Sequence, residues 1–469
     1  MIADRRIPIA ARIERLPSSR YMNIAVVLIA LGTFWDSYML FSIGPLSAHF
    51  FAYLKQTQLA AELPLALFLG TFVGAVTLST VADKIGRRNA FALDLSILAI
   101  GDLAAVFSPN ATFLLVALFV AGLGTGAELP LSVTYVQELV PAIKRGWTSS
   151  LELAVGFFGG TVGGFVALLL VPVTVLGVPG FKIALLIAAV GGFSSLLIRL
   201  RVPESPRWLE RVGRLDEADR VMTWIEDQVM REKGVATLAT PRPMEYPVVR
   251  KLPVTILLSG QYIRRTISAW IIELLQGFGA YGFATFVPLI LFARGYPIVH
   301  ALEYTAIIQI AYPVGTTISA FITDRIQRKW GMAILYALNV LAGVGFLFAN
   351  SVPLILTFGF LTEMFIFLDG PLLHTYEAEI YPTGVRGRGA GISFSLSRLG
   401  GFLAPLVASF ILASNAGATG STLLIIMAAV AWVICALTAA VVAVDTTNIT
   451  LEGLEEEAEQ ADEVSGKAA

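Results

Sequence analysis

Charged side chains are scarce in this chain of 469 residues, of which only 14% are Asp, Glu, Lys or Arg. An ordinary soluble domain has roughly 25%. Hydrophobic residues make up 56% of the chain, too many for a soluble globule to cover its surface with polar groups, so a soluble enzyme is excluded. Disordered proteins are polar and rich in charge, so disorder is excluded as well. The net charge of −1 gives no indication of a nucleic-acid partner, which would require a basic face.

Cysteine and histidine are also rare. Cys435 is the single cysteine, so the chain cannot form an internal disulfide. His49, His300 and His374 are dispersed, and no cluster with metal-ligand spacing accompanies them. The sequence also lacks a phosphate-cradling loop and a Ser-His-Asp arrangement. It therefore predicts no metal, no cofactor and no enzyme active site.

Long apolar runs are abundant, and a helix needs about 20 mainly apolar residues to cross a bilayer. Twelve such runs predict an all-α integral membrane protein. The predicted spans one to six lie near 21–46, 58–81, 89–107, 111–138, 149–173 and 181–200. Spans seven to twelve lie near 266–293, 301–322, 331–349, 352–378, 389–413 and 421–444.

Basic residues are distributed unevenly between the loops. With the N-terminus inside, 29 of the 33 Lys and Arg residues belong to the cytoplasmic side, and only Lys55, Lys182 and Arg294 lie outside. The positive-inside rule therefore predicts a multi-pass protein of the plasma membrane with both termini in the cytoplasm. Residues 1–20 contain five arginines and no cleavage signature, so we expect no cleavable signal peptide.

The loops divide the chain into five segments. We predict a cytoplasmic N-terminal segment 1–20, a first six-helix half 21–200, a cytoplasmic linker 201–265, a second six-helix half 266–444 and a cytoplasmic acidic tail 445–469.

The two halves repeat each other. Residues Tyr135, Glu138, Pro141, Arg145 and Gly146 recur at one constant offset as Tyr376, Glu379, Pro382, Arg386 and Gly387. The loop 83–88 falls on 324–329 at the same offset. The halves are therefore predicted to be parallel repeats of six helices, which is the arrangement of major facilitator transporters.

Several motifs resemble those of known transporters. The stretch 79–88, STVADKIGRR, resembles the loop signature of the major facilitator superfamily, with Ser79 in place of its first glycine. The stretch 203–209, PESPRWL, and the two E-x-x-P-x-x-x-R-G boxes resemble sugar porters. The stretch 122–130, GLGTGAELP, resembles metabolite:proton symporters, the branch of the nicotinate, aromatic-acid and synaptic-vesicle-glycoprotein-like carriers. The resemblance implies transport by alternating access around a site at the membrane midplane.

Three departures from the sugar-porter pattern bear on the substrate. Leu118 stands where sugar porters carry an arginine in span four, and His374 stands in place of a tryptophan in span ten. Their Gln-rich box in span seven is reduced here to Gln276 and Gly277. These departures weaken the expectation of a hexose substrate and favour an organic acid.

Charged residues of the repeated boxes are predicted to form latches at the cytoplasmic ends of the helices. Such pairs, formed across the junction or with the neighbouring bundle, bias one conformation over another. Ordinary positive-inside anchoring is the alternative. The predicted latch residues are Asp83, Arg87, Arg88, Glu138, Arg145, Asp324, Arg328, Glu379 and Arg386.

Ionisable residues inside the spans are the candidate site, because each costs about 2.5–3.5 kcal/mol at mid-membrane without a partner or a wet cavity. The resemblance implies that spans one, four, seven and ten line the cavity. We predict Asp36 and Glu128 as the proton-coupling residues. The predicted substrate-binding residues are Arg398, Glu273, Gln276, His374 and Asp369.

Each of these residues also has a structural interpretation. The two acids could be permanently hydrogen-bonded groups that hold helices together, and Glu273 with Gln276 could be a structural polar pair. Arg398, expected to be the only basic residue well inside a span, could be neutralised by Asp369, Glu363 or another buried acid. His374 could be an ordinary hydrogen-bonded helix residue.

The sequence therefore predicts a secondary transporter that moves a small metabolite, most simply an organic acid in symport with protons. A sugar transporter is the main alternative, and facilitated diffusion without protons remains open because Leu118 removes a partner for Asp36. A non-transporting ligand sensor is a further alternative. The expected partners are the substrate, protons and membrane lipid, and the oligomeric state is left open.

Overall fold

The computed structural model describes residues 7–52, 57–241, 253–260, 262–323, 325–381, 385–414 and 418–446. Within these ranges, the side chains of residues 51, 52, 57, 58, 79, 80, 83, 412–414 and 418 are outside the description. Twelve helices in the described part are long and apolar enough to cross a membrane, which confirms the predicted fold class. Nearly all of the predicted tail 445–469 lies outside the described residues.

The first half contains spans one to six. They are the helices Arg20–Ala52, Thr57–Ile85, Arg87–Val106, Ala111–Leu139, Ala142–Leu170 and Gly180–Arg199. Between spans five and six, the strands Thr174–Val175 and Val178–Pro179 form a short antiparallel hairpin. The observed helices are mostly longer than the predicted apolar runs because they continue beyond the apolar segment into polar residues at their ends.

The second half contains spans seven to twelve. Span seven is Tyr262–Ala293, and span eight consists of two consecutive helices, Ile298–Ile308 and Ala311–Ile322. Spans nine to twelve are Arg328–Phe348, Val352–Ile380, Arg386–Ser414 and Ala418–Leu437, the last of which continues as a π-helical turn, Thr438–Val442.

The halves meet where prolines have freed backbone carbonyls. A proline inside a helix removes the hydrogen bond to the carbonyl four residues earlier. Pro45 in span one thereby frees the Phe41 carbonyl, which accepts a hydrogen bond from Nε2 of Gln309 in span eight at 3.2 Å. Pro313 likewise frees the Gln309 carbonyl, which accepts from the Thr161 hydroxyl of span five at 2.7 Å. Two prolines thus supply acceptors for contacts between the halves.

Three helices lie against the ends of the spans on the side of the linker. The N-terminal helix Ile9–Glu14 packs on the linker helices Pro206–Arg211 and Leu215–Lys233. Arg12 is almost fully buried there and forms an ion pair with Glu226 at 2.6 Å. This side of the molecule is called the linker side below.

Candidate functional site

A central cavity lies between the two halves. About 630 Å³ of space lies between the atoms that line it, including the part that is open to solvent. Spans one, four and five line it from the first half, and spans seven, ten and eleven line it from the second. Its polar lining residues are Glu273, Gln276, His374, Ser397 and the tyrosine Tyr281, and the remaining lining is mainly apolar.

An aromatic cluster lies at the end of the cavity that is farther from the linker. The Tyr312 and Phe367 rings are stacked with their centroids 4.2 Å apart, and Phe41 lies 4.6 Å from Tyr312. Tyr281 stacks on Phe41 at 6.1 Å. From this cluster the cavity extends toward the linker side, as far as His374 of span ten.

Arg398 lies directly behind the cavity wall. It is 1% exposed, and its guanidinium donates a hydrogen bond to the Tyr281 hydroxyl. The guanidinium carbon is 4.9 Å from the Phe394 ring centroid. Among the described residues, the ion pairs that form do not include one between Arg398 and a carboxylate, so Asp369 and Glu363 do not neutralise it by direct contact. Arg398 therefore contacts the cavity lining through its hydrogen bond to Tyr281.

Asp36 of span one is the carboxyl group of the first half that the charge of Arg398 reaches. Asp36 is 2% exposed, and its Oδ1 accepts no hydrogen bond from the described residues. The charges of Asp102 and Glu128 also act on it. Asp36 does not line the cavity. The structure thus places Asp36 and Arg398 in opposite halves, and the described hydrogen bond of Arg398 goes to Tyr281 of its own half.

Glu128 of span four is engaged in a buried ion pair. Its Oε1 is 2.8 Å from Arg199 of span six, and the two side chains are 2% and 4% exposed. Arg199 also donates to the Ile29 carbonyl and lies 3.5 Å above the Phe91 ring centroid. Arg398 is therefore not the sole guanidinium buried among the helices, because Arg199, at the last position of its span, points back between them.

The other predicted substrate residues separate into two groups. Glu273, Gln276 and His374 line the cavity. Asp369 does not, because it accepts a hydrogen bond from the Tyr336 hydroxyl of span nine, on another side of span ten.

Glu377 joins the site although the sequence argument missed it. It follows His374 by three residues, a spacing that places both on one face of a helix. His374 Nδ1 lies 3.8 Å from Glu273 and 3.6 Å from Glu377. One ligand atom from each of the three residues lies within 4.8 Å of the other two. Although no metal cluster was predicted, two carboxylates and an imidazole are a donor set that a divalent transition metal can accept.

The predicted latch residues form equivalent pairs in the two halves. Arg87 of span three binds Glu138 of span four at 3.0 Å, and Arg328 of span nine binds Glu379 of span ten at 3.2 Å. Both pairs join neighbouring helices of one half. Each pair therefore links two neighbouring helices at the linker-side end of one six-helix bundle.

The other predicted latch residues have different contacts. Arg145 pairs with Glu14 of the N-terminal helix at 3.3 Å, and Arg386 donates to the Tyr381 carbonyl. The backbone N–H of Arg88 donates to Glu204 at 3.3 Å. The side chain of Asp83 is not described, and Asp324 lies outside the described residues.

Glu204 of the PESPRWL segment caps the N-terminus of span three. Its carboxylate accepts backbone N–H groups of Arg87 at 2.9 Å and Arg88 at 3.3 Å, which the first turn of a helix leaves without partners. Burial raises the pKa of the Glu204 carboxyl above its ordinary value, while these N–H groups and that of Ser205 favour the ionised form. This motif thereby connects the linker to the bundle.

The chain is similar to known transporters over most of its length. A model of the family described as "Sugar (and other) transporter" matches residues 22–458. The putative metabolite transport protein YyaJ of Bacillus subtilis is 29% identical over 403 residues, which cover 86% of this chain and 88% of that protein. The niacin transporter NiaP of Acinetobacter baylyi is 32% identical over 417 residues, which cover 87% of this chain and 91% of that protein.

The solved structures agree with the fold. The Escherichia coli proton:xylose symporter XylE, a major facilitator superfamily protein, has a TM-score of 0.69 at 17% identity, covering 94% of this chain and 100% of that one. This likeness confirms the predicted major facilitator fold. The matched family and structures are transporters, which also confirms that the chain is a transporter and not an enzyme.

Proposed function

Because this chain belongs to the sugar (and other) transporter family, we propose that it carries a small organic acid across the membrane by alternating access, in symport with protons. The observation that carries the proposal is Arg398, a buried guanidinium that donates to a tyrosine of the cavity wall and, among the described residues, has no carboxylate in direct contact. A guanidinium matches a carboxylate with two parallel hydrogen bonds.

The shape of the cavity favours an acid that contains a flat ring. Phe41, Phe157, Phe367 and Phe394 line the cavity together with Tyr281. Aromatic walls suit a planar ring, since ring pairs stack at offset or edge-to-face geometries. In the described part of the chain, four further polar side chains line the same space, which is few for the many hydroxyl groups of a sugar. The similar protein named a niacin transporter would take a substrate of this class.

Asp36 and the substrate carboxylate compete for the charge of Arg398 in this mechanism. When Asp36 is ionised, it shares the charge of Arg398, and a second anion is disfavoured. When Asp36 takes up a proton, Arg398 is available to the substrate through the Tyr281 side of the cavity. Leu118 occupies the place of the span-four arginine of sugar porters, so Arg398 is the basic residue that takes over the partnership with Asp36.

The orientation proposed for the chain follows from its basic residues. With the linker side in the cytoplasm of the cell, 29 of 33 Lys and Arg residues lie on that side. The cavity then extends toward the cytoplasm, and the aromatic cluster closes its external side. The pairs Arg87–Glu138 and Arg328–Glu379 keep the cytoplasmic ends of each half together, so that each half rocks as one body.

Competition for uptake tests the substrate class. In proteoliposomes, we expect labelled nicotinate to be taken up and to be displaced by other aromatic monocarboxylates. Nicotinamide is the matched control, because it keeps the ring and lacks the negative charge. We expect nicotinamide and xylose to compete at least about tenfold less well, the equivalent of 1.4 kcal/mol. Equal competition by nicotinamide would remove the role of Arg398, and uptake of xylose alone would identify a sugar transporter.

A further inference from the structure

Two carboxyl groups face each other beside the cavity in the second half. Glu273 of span seven and Glu377 of span ten each have a side chain that is only 2% exposed, while the His374 side chain next to them is 31% exposed. His374 Nδ1 is 3.6 Å from Glu377 and 3.8 Å from Glu273. The imidazole is therefore the most exposed member of this group, which we call the Glu–His–Glu triad.

One oxygen of each carboxyl group lies within 4.8 Å of an oxygen of the other, and an imidazole nitrogen of His374 lies within the same distance of both. Ser397 of span eleven lines the same cavity as Glu273. In the described part of the chain, one oxygen of each carboxyl, Oε1 in both cases, is buried and has no hydrogen-bond donor. An ionised carboxylate can only accept hydrogen bonds, so direct contact between two of them requires a proton between the oxygens.

Among the described residues, the ion-pair contacts of Glu273 and Glu377 are with His374 and with no Lys or Arg, so two negative charges are not balanced there. Asp369 of span ten adds a further acid, and Tyr376 precedes Glu377 on the same helix. Arg398 of span eleven is near enough to act on His374, but its described hydrogen bond goes to Tyr281 of span seven.

The described residues of the first half that line the cavity beside the triad carry no charge. Its lining residues on spans four and five, Leu129, Leu153 and Phe157, are apolar. Two like charges in contact cannot both persist in such surroundings, as in other carboxyl pairs that share a site. A buried carboxylate without a cationic partner is costly within a membrane.

We propose that the Glu–His–Glu triad is a second proton-binding site, separate from Asp36, in which Glu273 and Glu377 hold one proton between their carboxyl oxygens. His374 passes that proton between the cavity and the carboxyl pair, accepting it on one ring nitrogen and releasing it from the other. The pair takes up this proton in acid without substrate, and at neutral pH substrate binding completes the uptake. Its movement during transport rests on the proposed function, in which the triad and Asp36 load one proton in each half.

Infrared spectroscopy of the purified protein tests the site without any substrate. A protonated carboxyl has a carbonyl stretch separate from the bands of carboxylates. We expect Glu377→Gln and Glu273→Gln each to remove the same protonated-carboxyl component from the acid-minus-alkaline difference spectrum. Glu363→Gln is the matched control, since Glu363 is an equally buried acid of span ten outside the triad, and this variant should keep the component. If both triad variants kept the component, the proposal would be overturned.

Thermal unfolding in the presence of Zn²⁺ or Mn²⁺ examines the alternative occupant. If the triad is a proton site, neither ion should raise the unfolding midpoint of the wild-type protein. A rise that Glu377→Gln and His374→Ala abolish would assign the donors to a metal and contradict the proton site.

Proton uptake on substrate binding links the triad to transport. Calorimetric titration in two buffers of different ionisation enthalpy gives the number of protons taken up. We expect the number to fall by about half in Glu377→Gln and to stay unchanged in Glu363→Gln, because only one of two sites is lost. An unchanged number in Glu377→Gln would contradict the coupling, and absence of any substrate binding by the wild-type protein would instead count against the proposed function.

Discussion

Alanine in place of Arg398 is expected to reduce the uptake of an aromatic monocarboxylate by roughly 10- to 100-fold. A hydrogen bond to a charged group contributes about 1.5–3 kcal/mol, and every 1.4 kcal/mol corresponds to a factor of ten in affinity. Arg398 supplies the positive charge behind Tyr281, and its guanidinium is 1% exposed, so water cannot replace it. The measurement is the initial rate of uptake into proteoliposomes as a function of substrate concentration.

Two variants make this result specific. Arg398→Lys keeps the charge but loses the planar fork, so we expect an intermediate rate. Tyr281→Phe removes the hydroxyl that accepts from Arg398 and leaves the ring in the aromatic cluster, so a smaller loss is expected. Uptake by Arg398→Ala at the wild-type rate would show that this residue has only a structural role.

Loss of Arg199 is expected to destabilise the protein by about 3–5 kcal/mol, because removing one partner of a buried ion pair leaves an uncompensated charge. Glu128 is 2% exposed and lies 2.8 Å from Arg199, so Arg199→Ala strands its carboxylate among the helices of the first half. The free energy of unfolding in detergent micelles measures the effect.

The double variant Arg199→Met, Glu128→Leu provides the control for this prediction. Well-packed apolar residues often replace a buried ion pair without loss, so the double variant should recover most of the stability. Arg214→Ala removes an exposed pair with Glu217 and should leave the unfolding midpoint unchanged. If Arg199→Ala alone were as stable as the wild-type protein, the buried pair would have no structural importance.

The membrane spans and their division into halves were predictable because they depend on composition and on periodicity along one chain. An apolar run of about 20 residues predicts a membrane-spanning helix without any knowledge of the helices that pack against it. The repeated boxes at 135–146 and 376–387 likewise show, from the sequence alone, that the two halves correspond. The pairs Arg87–Glu138 and Arg328–Glu379 then occupy equivalent places in the two halves.

The site was only partly predictable because it depends on which way each helix faces. Asp369 and His374 are five residues apart, which separates them by about 140° around the helix axis. His374 consequently lines the cavity, whereas Asp369 contacts Tyr336 of span nine. The three-residue spacing of His374 and Glu377 was a usable signal, but Glu377 stands one residue before the predicted end of span ten, where a charged residue is ordinary.

Contacts between distant segments could not be read from the sequence. Arg199 has the position of a cytoplasmic anchor at the end of span six, and only the packing of spans one, three and four around it shows that it is buried. Pro45 and Pro313 each indicate a carbonyl, four residues earlier, that receives no N–H from the proline. Nothing near these prolines in the sequence identifies Gln309 and Thr161 as the donors to those carbonyls.

Uptake driven by an imposed pH gradient tests the proposed proton symport most directly. Proteoliposomes that contain the wild-type protein should accumulate nicotinate faster when the external medium is the more acidic, and dissipating the gradient should remove the difference. The Asp36→Asn variant should take up nicotinate at the same rate with and without the gradient. The Glu363→Gln variant should respond to the gradient like the wild-type protein. Wild-type uptake that ignores the gradient, or an Asp36→Asn variant that follows it fully, would contradict symport through Asp36.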